Sequence, residues 1–276
     1  MHTIEDLIQL ALQEDIGPGD ITTDNLVAPD TRGNGIIVAK QNLVIAGLQV
    51  AEKVFKALEP QIDFEALYAD GDRITAGSTV VRIDGTLGTL LRGERTALNF
   101  IQRLSGIATQ ARTFVGEVAG TSVKLVDTRK TTPGWRVLEK YAVRIGGAHN
   151  HRMGLYDGVL IKDNHIAVSG GITNAVKKVR QKISHLVKVE VETATFEEVK
   201  EALAANADII MLDNMDLEQI RKAVRMIDKK ALVEVSGSVT RERLRDLAQT
   251  GVDLISIGAL THSAVAVDLS MNIKAN

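Results

Sequence analysis

A chain of 276 residues is long enough for one large α/β domain or two smaller ones, with a sizeable buried core. Its formal net charge of -2, pI near 6.3 and aromatic content of 3% offer neither a positive field nor stacking platforms, which argues against a nucleic-acid partner. The absence of cysteine excludes disulfides, thiolate nucleophiles and cysteine-held metal centres, and no stretch approaches the roughly 18 continuous apolar residues of a membrane span.

The opening Met1-His2-Thr3-Ile4-Glu5-Asp6 is acidic where a signal peptide would be basic, so a cytoplasmic location is expected. Residues 3–14 predict an amphipathic helix with Thr3 as N-cap, Asp6 three positions on, and Ile4, Leu7, Ile8, Leu10 and Ala11 at helical spacing. Gly17-Pro18-Gly19-Asp20 ends it. Apolar runs at Gly35–Ala39 and Leu43–Ala46, a helix near Leu48–Leu58, and strands near Ile62–Tyr68 and Val80–Ile83 predict a small α+β domain. From Leu87 to Val118 the pattern is helical, with an interruption expected at Ser105-Gly106.

Beyond this the chain becomes regular. Strands are expected to end near Val126, Ile161, Val191, Leu212, Val235 and Ile257, with helices at Val137–Arg144, Thr173–Lys182, Phe196–Ala204, Leu217–Met226 and Arg241–Ala248 between them. Such a βαβ series closes into a barrel or opens into a doubly wound sheet. Every predicted strand ends in a polar or glycine signal, which favours a barrel collecting side chains into one mouth, and no Gly-x-Gly-x-x-Gly follows the first strand.

Charge gathers where these strands stop. Arg129, Lys130, Arg152 and Lys162, with His149 and His151 among them, sit in tight groups with Gly, Pro, Thr and Asn, residues that shape loops. They imply an anionic ligand carrying several carboxylate or phosphate groups. In Val187-Lys188-Val189-Glu190-Val191-Glu192 the charged residues share one strand face, and Asp213 ends another apolar run. Two acids facing a basic ring suit a magnesium pyrophosphate and a transition state that gains positive charge. Val235-Ser236-Gly237-Ser238 and Ile257-Gly258-Ala259 carry the small residues that let backbone N–H groups approach a phosphate.

The motifs Glu94-Arg95-Thr96-Ala97-Leu98-Asn99, Asp127-Thr128-Arg129-Lys130-Thr131-Thr132-Pro133-Gly134, Asn150-His151-Arg152, Asp157 through His165, Val189-Glu190-Val191-Glu192 and Leu212-Asp213-Asn214 together resemble the quinolinate phosphoribosyltransferase family. The resemblance runs from Glu14-Asp15-Ile16-Gly17 to Gly258-Ala259-Leu260-Thr261-His262. It implies an N-terminal α/β sandwich domain over 1–106, an incomplete α/β barrel over 107–265, and a segment, 266–276, returning to the first domain. It also implies transfer of the phosphoribosyl group of phosphoribosyl pyrophosphate to quinolinate with decarboxylation and Mg2+, in de novo NAD synthesis, by a homodimer with shared active sites.

Residue by residue, the resemblance assigns the dicarboxylate to Arg95, Arg129, His151, Arg152 and Lys162, with Thr128 among the binding residues. Lys130 and Lys162 would neutralise phosphate and pyrophosphate charge; Ser236, Gly237, Ser238, Gly258, Ala259 and His262 would line the 5-phosphate site. Lys130, Glu190 and Asp213 are the expected catalytic residues, with Glu190 and Asp213 beside the ribose and its metal. Two positions depart from the family pattern: Ser238 stands where a second glycine is expected, and Ala148 where a third is common. A molybdenum-transport relative would alter the dicarboxylate ring, and a Schiff-base aldolase would want a desolvated Lys162. A phosphosugar-binding regulator would not need Glu190 and Asp213.

Overall fold

The computed structural model describes residues 3–275; Met1, His2 and Asn276, which the expected terminal segments include, lie outside the described residues. In chain order the strands are β1 Arg32–Ala39, β2 Leu43–Val44, β3 Asp63–Ala66, β4 Arg73–Ile74, β5 Thr79–Thr86, β6 Lys124–Val126, β7 Val159–Ile161, β8 Val189–Thr193, β9 Ile209–Asp213, β10 Leu232–Ser236, β11 Leu254–Ser256 and β12 Leu269–Ala275. They fall into two compact units. Among the described residues no helix is long and apolar enough to cross a membrane.

The first unit holds the chain through Arg112, together with Thr132–Gly147 and the chain from Leu260 on. Its main sheet is antiparallel in the order β12-β1-β5-β3, and β2 pairs with β4. The burial of β1 alternates, so Gly33, Gly35, Ile37 and Ala39 face inward. The first helix, Ile4–Ile16, starts at a reciprocal cap: Thr3 accepts from the Asp6 amide, and Asp6 accepts from the Thr3 amide.

The helix Leu87–Glu117 is unbroken where an interruption was expected at Ser105-Gly106. Both residues serve close packing. A β-carbon at Gly106 would overlap the carbonyl oxygen of Val265, and Ser105 Oγ accepts from the Ala46 amide at 2.9 Å. The helix Arg136–Ile145 belongs to this unit. Tyr141 donates to Asp70 at 2.5 Å, and Arg112 Nε donates to the Gly146 carbonyl at 2.9 Å. By compactness, 132–147 and the chain after Leu260 group with the residues before Thr113.

The second unit, Thr113–Thr131 with Ala148–Ala259, is built on six parallel strands in the order β6-β11-β10-β9-β8-β7. Consecutive strands β6 and β7 stand at opposite edges, so the order is that of a barrel with one seam unclosed. The fold combines the expected incomplete α/β barrel with an α/β sandwich. Along the β6 seam the extended His149 bridges to Val126, its amide donating to the Leu125 carbonyl at 2.8 Å. Register places Lys188, Glu190 and Glu192, Ile209, Met211 and Asp213, Leu232, Glu234 and Ser236, and Leu254 and Ser256 on one face. A short helix, Asp163–Ser169, which the pattern did not predict, follows β7 directly.

Candidate active site

Each strand of the second unit delivers a polar group at its C-terminal end. After β6 the fully buried Asp127 acts as a latch. It accepts from the His151 amide at 2.9 Å and from Asn150 Nδ2 at 2.6 Å, so the chain from His149 to Arg152 is fastened beside the strand. Next in the chain Thr128 Oγ1 accepts from the Lys130 amide at 3.1 Å, turning Arg129 and Lys130 out into solvent. After β7 comes Lys162, exposed and ion-paired with Glu192 of β8. After β9 stand half-buried Asp213 and exposed Asn214, and after β10 and β11 come Ser236 to Ser238 and Gly258-Ala259.

The loop after β10 is tight. Gly237 has φ 92°, and a β-carbon there would overlap the Asn214 side chain, so only glycine fits. Ser238 also lies in the left-handed region at φ 47°, the conformation that explains why a glycine is expected there. Ala148, the other departure, is simply buried.

The strands also separate residues that were expected together. Glu190 pairs in register with Ile209, and Asp213 lies four residues farther along β9, an offset of about 13 Å. Glu190 is moreover buried against His151, whose Nε2 stands 3.0 Å from Glu190 Oε2. One ion cannot be held by Glu190 and Asp213 in this arrangement. Glu192, in register with Met211, is offset from Asp213 by only about half as much, and it lies with Asp213 toward the end of the strands.

His151 sits between Arg152 and Glu190. Its Nδ1 accepts from the Arg152 amide at 2.8 Å, which puts the ring proton on Nε2 and aims it at Glu190. Both ring nitrogens are engaged within the protein, so His151 orients Arg152 and Glu190. The Arg152 guanidinium donates to the Gly158 carbonyl at 3.1 Å. Burial lowers its pKa, the nearby Arg129 charge lowers it further, and Glu190 and Asp157 oppose both. Two crowded guanidiniums are a site that a dianion relieves.

Glu234 was missed in the sequence, although a carboxylate between Val233 and Val235 in a buried strand is the same signal that drew attention to Glu190. It is fully buried, with Oε1 3.7 Å from His151 Nε2. Neither of its oxygens, nor Glu190 Oε1, has a hydrogen-bonded protein partner among the described residues. His151, Glu190 and Glu234 offer ligand atoms within 4.8 Å of one another, but a protonated Nε2 cannot coordinate a metal. The three line a cavity of about 320 Å³ in the second unit with Arg152, Lys124 and Lys188.

Burial pushes the Glu234 carboxyl up to about 7, the Glu190 carboxylate adding to the shift and His151 opposing it. A carboxyl whose pKa is raised from 4.5 in the folded state holds its proton more tightly folded than unfolded. Its contribution to stability is complete below about 4.5 and is lost as the pH rises through about 7. Glu234→Gln, fixed in the neutral form, should therefore gain on the wild type between about pH 5 and about pH 8, by roughly 5 °C in Tm. A pH-independent difference in melting temperature would show that Glu234 titrates as an ordinary glutamate.

Of the expected residues, Thr128, Arg129, Lys130, His151, Arg152, Lys162, Glu190, Asp213, Ser236, Gly237, Ser238, Gly258 and Ala259 belong to the second unit. Arg95, exposed on the helix Leu87–Glu117, and His262 belong to the first.

Residues 20–105 match the family described as quinolinate phosphoribosyl transferase, N-terminal domain, and residues 107–272 match its C-terminal domain. The chain is 48% identical over 276 residues to a probable nicotinate-nucleotide pyrophosphorylase (carboxylating) of Synechocystis, covering 99% of this chain and 93% of that protein. A protein of Bacillus subtilis with the same description is 45% identical over 260 residues, covering 94% of this chain and 90% of its own length. The crystal structure of NadC from Streptococcus pyogenes superposes with a TM-score of 0.96 at 39% identity, covering 99% and 97% of the two chains. The nicotinate-nucleotide pyrophosphorylase of Francisella tularensis gives 0.94 at 41% identity, covering 98% and 96%.

Proposed function

The chain belongs to the quinolinate phosphoribosyltransferase family, and on that premise we propose that it joins quinolinate to the phosphoribosyl group of phosphoribosyl pyrophosphate. It releases pyrophosphate and carbon dioxide and yields nicotinate mononucleotide for de novo NAD synthesis. The observation that carries this reading is the match of both halves of the chain to one family, over 20–105 and 107–272.

The chemistry follows from the charges. Arg129, Arg152 and Lys162 take the two carboxylates of quinolinate and leave its ring nitrogen facing the sugar. That nitrogen attacks the anomeric carbon as the bond to pyrophosphate breaks, through a centre of oxocarbenium character. Asp213 and Glu192 supply the negative field for it. Lys130 neutralises the departing pyrophosphate, and the backbone amides after β10 and β11 take the 5-phosphate. In the pyridinium so formed, the carboxylate next to the nitrogen leaves as carbon dioxide. Its bonding pair remains on the ring carbon until a proton from water replaces it.

Mg2+ suits the half-buried pair Asp213 and Glu192, since this ion takes one or two carboxylates, its own waters and substrate phosphate. When bound it neutralises pyrophosphate charge. We place the active unit as a homodimer. Next to exposed Arg95, the first unit carries a groove of about 250 Å³ lined by Leu7, Leu10, Phe100 and Trp135 together with Glu14 and Asp15. Leu10 is 61% exposed, as a surface awaiting a second copy would be.

Incubation with quinolinate, phosphoribosyl pyrophosphate and Mg2+ should produce nicotinate mononucleotide and carbon dioxide together. Nicotinate, which lacks one carboxylate, should be used at least about a hundredfold less efficiently, because it leaves a guanidinium of the ring without its anion. Comparable turnover of the two acids would refute the dicarboxylate reading.

A further inference from the structure

We infer that the buried pair Arg103 and Glu139 is a positioning device for the loops that bind phosphoribosyl pyrophosphate, an inference that rests on the function proposed above. Arg103 lies on the helix Leu87–Glu117 and Glu139 on the helix Arg136–Ile145. Glu139 is fully buried, and the Arg103 side chain is 24% exposed.

A brace between two helices would need only the two-pronged contact of guanidinium on carboxylate. Here that contact exists, Arg103 Nη2 and Nε donating to Glu139 Oε1 at 2.7 and 3.2 Å. The remaining hydrogen-bonding capacity goes to two other segments of the chain. Glu139 accepts from Thr132 twice, from Oγ1 at 2.9 Å and from the amide at 3.2 Å. Arg103 donates to the Thr261 carbonyl at 2.8 Å and to the Ala264 carbonyl at 2.6 Å. One charged pair thus grips two separate segments.

Each segment is the direct continuation of an expected phosphate loop. Thr132 follows Lys130 by two residues, and Thr261 follows Ala259 by two and precedes His262. Strands β6 and β11, from which the two loops issue, are neighbours in the sheet. A polar network whose members satisfy one another admits one arrangement, so it ties the far ends of both loops to each other. Of the residues that hold quinolinate, Arg152 is fixed separately through Asp127 and His151 and Lys162 through Glu192, and only Arg129 shares the first of these loops. Loosening the pair should therefore act mainly on phosphoribosyl pyrophosphate.

The test compares Arg103→Lys, Glu139→Gln, Thr132→Val and Thr132→Ser by initial-rate kinetics, varying each substrate at saturating levels of the other. Thr132 is exposed, so its replacement leaves the fold alone, and the serine keeps the hydroxyl that donates to Glu139. The KM for phosphoribosyl pyrophosphate should rise about tenfold or more in the first three, with kcat and the KM for quinolinate within about threefold of wild type, and Thr132→Ser should match the wild type. Calorimetric Kd values for each substrate alone should show the same split. If Arg103→Lys and Glu139→Gln fail to fold, the two Thr132 variants decide. An unchanged KM for phosphoribosyl pyrophosphate in Thr132→Val, or both KM values rising in parallel, would overturn the inference. Wild-type enzyme inactive on these substrates would instead overturn the function on which it rests.

Discussion

Arg152→Ala should lower kcat/KM for quinolinate by roughly a hundredfold to a thousandfold while leaving the KM for phosphoribosyl pyrophosphate within about threefold. The size of the effect comes from where the guanidinium sits. It is half-buried, fixed by the Gly158 carbonyl, and backed by an amide that donates into His151. Burial and Arg129 both disfavour its charge, so the apo site holds a repulsion that a bound dicarboxylate removes. Alanine forfeits a charge-assisted, two-pronged contact, and water entering in its place cannot supply the lost geometry. Arg152→Lys should recover only part of the loss, because a point charge does not match a planar carboxylate. Steady-state kinetics with each substrate varied checks this. A tenfold or smaller loss, shared equally by both substrates, would remove Arg152 from the dicarboxylate ring.

Much of this architecture is legible in the sequence, and the reason is physical. Parallel strands covered on both faces must be apolar throughout, so Leu125-Val126, Leu160-Ile161 and Ile209 to Leu212 announce themselves, and the charge that follows each marks where the strand meets solvent. The cap at Thr3 and Asp6 is equally local. What escaped depends on contacts between distant residues. Ser105-Gly106 looks like a helix break until the Val265 carbonyl is placed against it. Glu190 and Asp213 look like partners until the register of β8 on β9 sets them about 13 Å apart. The Arg152 amide that meets Nδ1 of His151 leaves no trace in the sequence either. Glu234 is the one omission for which a signal existed, since a lone acid inside an apolar strand is conspicuous wherever it occurs.

Arg95→Ala and Lys130→Ala should each abolish activity as pure proteins, and mixing the two should restore about a quarter of the wild-type rate. Lys130 stands on the loop after β6 in the second unit. Arg95 is exposed on a helix of the first, beside the groove of Leu7, Leu10, Phe100 and Trp135. If that groove is where a second copy docks, docking carries Arg95 toward the partner's site, where its charge completes the dicarboxylate ring. Two-fold symmetry then gives each site one chain's Lys130 and the other chain's Arg95. In a mixed dimer one site receives both intact residues and the other receives neither. Random exchange makes half of the dimers mixed, each with one working site, which gives the quarter. Co-expression with two affinity tags isolates the mixed species, whose activity should be about half that of wild type. Purified mixed dimers as inactive as their parents would mean that Arg95 acts within its own chain or has no part in the reaction.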